Sequence, residues 1–225
     1  MTAKVGNSSA TDANSYTTAS ITPTANTLIL VWITSQLLAG PAAPTLSGNS
    51  LTYVQVNSRV QGTQRTTLFR AMGATPSAGA ITIDFTGVTQ SRCAWSVVEF
   101  GNVDTGGTHG SAAVVQSAVD SNAGATSLTV TLAAFGSANN ATASGGMHRT
   151  TEATTPGAGF TEIHDVTIAA ESHGMASEWR VDNDTTADMS WTTSSACSAV
   201  AVEIAEAVAA GGAIAFRRTL LGVGP

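Results

Sequence analysis

Asp84, Cys93 and Glu99 recur as Asp188, Cys197 and Glu203, each pair 104 positions apart. Around them, "CAWSVVE" (93–99) is echoed by "CSAVAVE" (197–203). A chain that writes one spacing twice is built from two equivalent pieces, and this limits the fold more than any single motif. The echo extends upstream. Arg70 in "TLFRAMG" resembles Arg180 in "SEWRVDN", "GNSLTYVQV" (48–56) resembles "GAGFTEIHDV" (157–166), and "TANTLILVW" (24–32) is weakly matched by "SANNATASG" (137–145). The period is too long for a solenoid unit. It describes two halves, 15–105 and 112–207, each with the same order of five or six strands.

Short runs such as "TLILVWITS" (27–35), "LTYVQVNSRV" (51–60), "AITIDFT" (80–86) and "SLTVTLA" (127–133) are rich in Val, Ile and Thr, and many alternate in polarity. Both traits suit a pleated, half-buried surface. Between them lie turn clusters such as "LLAGPAAP", "GATPSAGA" and "DNDTT". Regular short strands with frequent turns point to a sandwich or barrel. The expected fold is an all-β jelly-roll β-sandwich made from two similar Greek-key halves, with two tandem small β-sandwiches as the alternative. Residues 1–14 are expected to form an N-terminal arm, 15–207 the sandwich, and 208–225 a C-terminal tail. Val98, Phe100, Val200, Val202 and Ile204 are the expected core face. Glu99 and Glu203 are expected to end the opposite face in solvent.

Only 11% of the residues are charged, against about a quarter in ordinary soluble domains. The net charge is −6 and Lys4 is the one lysine. Phosphate binding needs a basic stripe, so no nucleic-acid partner is expected. The longest strongly apolar run, 27–33, is far short of a membrane span. "MTAKVGNSSATDANS" lacks the apolar core of a signal peptide. A soluble protein made in a cytoplasm, with no membrane partner, is the expectation. Cys93 and Cys197 could bridge only if their Cα atoms lie within about 7 Å; two free buried thiols are expected.

Candidate chemistry is sparse. Glu99 and Glu203 could act as the carboxylate pair of a glycosidase, but the repeat already accounts for them as equivalent strand ends. Asp182, Asp184 and Asp188 offer oxygen ligands for a calcium ion, though Asx-rich turns arise for backbone reasons alone. His109, His148, His164 and His173 have no zinc spacing, and there is no GxSxG elbow, Walker loop or GxGxxG. No catalytic residue, cofactor or bound metal is expected. Trp179 and Trp191 are the candidates should a groove stack on a glycan. The tail is different. After Gly211-Gly212, Ile214, Phe216, Leu220 and Leu221 flank Arg217 and Arg218. These six residues are expected to dock, either on the chain's own sheet edge or on a neighbouring subunit by strand addition.

"RTTLFRAMGATPSAGAITIDF", "CAWSVVEF", "SEWRVDNDTT" and "AVAVEI" together resemble a family of jelly-roll, concanavalin-like proteins of tailed-phage and prophage gene clusters, over about residues 14–207. The resemblance implies a non-enzymatic structural protein of the virion, decorating or cementing the particle. Its partners would be other capsid or tail proteins and copies of itself, with synthesis in a bacterial cytoplasm. A glycan- or receptor-binding module of a tail fibre is the alternative, and a jelly-roll glycosidase the third.

Overall fold

A computed structural model describes residues 1–169 and 172–207. The described residues form an all-β sandwich with fourteen antiparallel-paired strands. The first wide sheet has the order β1 (Thr2–Ser9), β8 (Arg92–Phe100), β3 (Leu28–Gln36), β6 (Gln64–Ala71) and β5 (Val54–Gln61). Beside it lies a small sheet of β2 (Ser15–Thr17), β7 (Thr82–Asp84) and β4 (Thr45–Ser47). The chain therefore passes back and forth between wide and small sheets, which is jelly-roll alternation.

The second half repeats this order. β9 (Val114–Thr131), β14 (Thr186–Ile204), β10 (Ala141–His148), β13 (His173–Val181) and β12 (Thr161–Ile168) are neighbours in that sequence. β9 stands for β1, β14 for β8, β10 for β3, β13 for β6 and β12 for β5. The small sheet is rebuilt from the far ends of the two long strands. Thr131–Ser127 pairs Thr186–Ser190, and β11 (Thr155–Pro156) pairs Ser190 and Met189. Thus β9 fuses the counterparts of β1 and β2, and β14 those of β7 and β8. Even a β-bulge is duplicated. The β5 register shifts between Gln55 and Asn57 opposite Leu68, and the β12 register shifts between Glu162 and His164 opposite Ser177. A bulge is a specified local feature, so its recurrence marks true equivalence.

The ladders correct one alignment. Trp32 lies between Ser96 and Leu68, while Gly145 lies between Val200 and Ser177. Trp32 therefore matches Gly145, as "TANTLILVW" and "SANNATASG" suggest. Leu68 matches Ser177, so the counterpart of Arg70 is Trp179, one position short of Arg180.

Three cores result. Leu28, Leu30, Trp32, Leu68, Val98 and Phe100 meet Met175, Val200, Val202 and Ile204 between the two wide sheets. Ile29, Val31, Ile33, Trp95 and Val97 pack on Tyr16 and Ile83 of the first small sheet and on Phe85 just beyond β7. Cys197, Ala199 and Ala201 pack on Leu128, Val130 and Met189 in the second half. The sandwich between halves is thus the central pair of four layers. β3 and β8 are buried at all nine positions each, because both of their faces are covered. This is why "LILVWITSQ" is nearly unbroken in apolar character at its start.

Two expectations change. Residues 2–9 are the edge strand of a wide sheet, paired to β8 from Thr2 to Ser9; 1–14 is no separate arm. Glu99 and Glu203 do not run into solvent, since both are buried. Cys93 lies in the first outer core and Cys197 in the second, both as free thiols, so the central layers separate them.

Candidate docking cleft

The central seam opens at one end. Phe100 closes β8, Ile204 closes β14, and Trp179 and Val181 close β13 there. With Gly101, Asn102, Val103, Asn139, Ala141, Ala205, Glu206 and Met1 they line a cleft of about 220 Å³. Strand parity points Trp179 into the seam, alongside Met175 and Ser177. Its ring meets the Phe100 ring edge-on at 6.0 Å, a favourable aromatic geometry. Its Nε1–H is buried and has no acceptor among the described residues. Buried indole donors are ordinarily satisfied, and this one lies beside the apolar wall of the cleft. Val181 at its rim is 63% exposed.

The first residue and the last described ones meet at this cleft. Met1 lines it at the start of β1, and Glu206 lines it just beyond β14. The last described residues are held against the loop after β8: Val103 bridges Glu206, and the Ala207 amide donates to the Asn102 carbonyl at 3.0 Å.

Other candidates fare differently. Glu99 lies on the outer side of β8, where it takes a 3.1 Å ion pair from Lys4 and the Thr24 amide at 2.8 Å. Burial pulls its carboxyl upward, but the Thr24 and Lys4 contacts outweigh this and hold it below the usual range. Glu203 lies on the outer side of β14 and accepts from Asn140 at 2.5 Å and Gln116 at 2.6 Å. The two carboxylates face opposite outer layers and form no pair. Asp182 and Asp184 grip Arg180 at 2.6 and 2.7 Å, and Asp188 accepts from Thr129. The proposed calcium ligands are therefore committed elsewhere: Arg180 supplies the positive charge that two of them need, and the third sits on the β9 ladder. Trp191 is buried, stacked on His148 and donating to the Ala125 carbonyl, so of the two glycan candidates only Trp179 reaches an opening. Ile214, Phe216, Arg217, Arg218, Leu220 and Leu221 lie outside the described residues.

Sequence reasoning missed two buried titratable sites. Glu178 accepts from Ser144 at 2.9 Å and from the Gly157 amide at 3.0 Å, and burial raises its carboxyl to about 7. Glu162 faces it directly across the β12–β13 ladder. His173 bonds Thr34 at 2.8 Å through Nε2, while its buried Nδ1 has no partner among the described residues. Desolvation, with Arg92, His148 and Arg149 nearby, lowers it to about 3. The signal for Glu178 was available: in "GMASEWRV" it shares a strand face with Ala176, on a strand whose first six residues are buried.

No family model, curated protein or solved structure matches this chain.

Proposed function

We propose that this chain is a non-enzymatic structural protein of a tailed-phage virion, a decorating or accessory subunit that docks on its neighbours through one end of the sandwich. One observation carries the reading: a cleft with an apolar wall of Phe100, Val103, Trp179 and Val181 opens where Met1 and the last described residues lie. A few buried apolar anchors are the economy of a docking site. Four stacked layers suit the mechanical role. The charge-poor surface leaves few ions to desolvate when copies pack closely. The sequence resemblance supplies the virion context. The test is co-sedimentation of the purified chain with phage particles. Particle-bound protein is expected; clean binding to a glycan array without particle binding would replace this reading by the receptor-binding one.

A further inference from the structure

Deepening the docking reading, and resting on it, we infer that the occupant of the cleft is the C-terminal tail of a second copy of this chain, exchanged reciprocally in a two-fold dimer. The described chain stops at the cleft's own rim. Eighteen residues follow, 208–225, enough to reach roughly 60 Å if extended. Past the Gly211-Gly212 pair they carry Ile214, Phe216, Leu220 and Leu221. Such side chains match the Phe100, Val103, Trp179 and Val181 wall. Charge agrees: Arg217 and Arg218 enter a molecule of net charge −6, beside Glu206 on the rim.

The course of the last described residues favours a partner over self-filling. Ile204, Ala205 and Glu206 are themselves one wall of the cleft. The Val103–Glu206 bridge and the Ala207–Asn102 hydrogen bond hold the chain against the loop after β8, so that the last described residues stay part of that wall. To fill its own cleft, the tail would have to reverse against the wall it has just built. A second copy placed end to end presents its cleft ahead of it. Because tail root and cleft share one end, the exchange is isologous and closes at two copies; a tail and cleft at opposite ends would instead propagate a filament.

The test uses the full chain, the 1–210 truncation and Val181→Asp, a change at an exposed rim position that leaves the cores untouched. Mass in solution is read by light scattering, and Trp emission by fluorescence. The full chain is expected to run at twice 22.6 kDa, and the truncation and Val181→Asp as monomers. A synthetic 211–225 peptide added to the truncation is expected to shift its emission to the blue. Of the four tryptophans, Trp179 alone is half-buried and the other three are buried. A monomeric full chain overturns the inference, including one whose emission reddens on truncation because its own tail filled the cleft. So does a truncation that stays dimeric, or a peptide that leaves its emission unchanged. Particle binding is scored separately: a monomeric chain that still binds particles overturns the exchange and leaves the docking reading intact.

Discussion

Trp32 of β3 packs its indole onto Gly145 of β10, its own counterpart in the duplicated half. A Cβ on Gly145 would lie 2.4 Å from Trp32 Cγ. Equivalent positions thus meet at the middle of the seam, and they meet asymmetrically. Two tryptophans would collide there and two glycines would leave a void. One of each fills the space, and the Trp32 Nε1–H reaches the Val200 carbonyl at 3.1 Å. A second close approach across the seam joins β1 and β12, which are not counterparts: a Cβ on Gly6 would lie 2.5 Å from the His164 ring.

Gly145→Ala is therefore expected to destabilise the fold by about 3 kcal/mol, the upper range for overpacking a close-packed core. Trp32→Leu alone leaves a cavity and also costs stability. The double variant is expected to be more stable than the two single losses added together, because the smaller side chain frees the space the new methyl needs. Denaturant midpoints of the four proteins check this; strict additivity would show that the two residues are not in contact.

Acid is expected to weaken the fold through His173 in the seam and His148, which stacks on Trp191 of the second outer core. Desolvation lowers them to about 3 and about 4, against about 6.5 when unfolded. In that window the unfolded chain binds more protons, so stability falls as pH drops from about 6.5 toward 3. Groups facing His173 include Arg92 and Arg149, which oppose its charging. His173→Gln, which installs the residue found at the equivalent Gln64, is expected to flatten the acid limb of the stability curve while leaving stability at pH 7 little changed. An unaltered acid limb would contradict this assignment.

Glu178 acts in the opposite direction. Its carboxyl is raised to about 7 from about 4.3 when unfolded. The native state then holds the extra proton, so stability is greatest below that window and declines as pH rises to about 7, by up to about 3 kcal/mol. Glu178→Gln mimics the neutral form and is expected to gain stability over the wild type at pH 8 but not at pH 5. Thermal midpoints at the two pH values read the difference, and an equal effect at both would refute it.

Much of the fold was legible because duplication shows in spacing. The Asp84–Cys93–Glu99 triplet and the alternating runs fixed strand type and the match between "TANTLILVW" and "SANNATASG". The number of layers was hidden. Cys93, Trp95 and Val97 form an outer core only because β2, β4 and β7, three residues each, fold across them. Strands that short give almost no periodic signal. Glu99 and Glu203 are buried for the same kind of reason, since their partners, Lys4, Thr24, Asn140 and Gln116, come from distant segments. The cleft was illegible for a related reason. Phe100 lies far in sequence from Trp179 and Val181, and only the stacking of two wide sheets brings them to one end.

The most direct measurement is particle binding by three proteins: the full chain, residues 1–210, and Val181→Asp, each co-sedimented with phage particles under identical conditions. Docking through the seam's open end requires the full chain to bind and both variants to fall at least roughly tenfold, the loss of about 1.4 kcal/mol of contact. Undiminished binding by the truncation and by Val181→Asp together would contradict it.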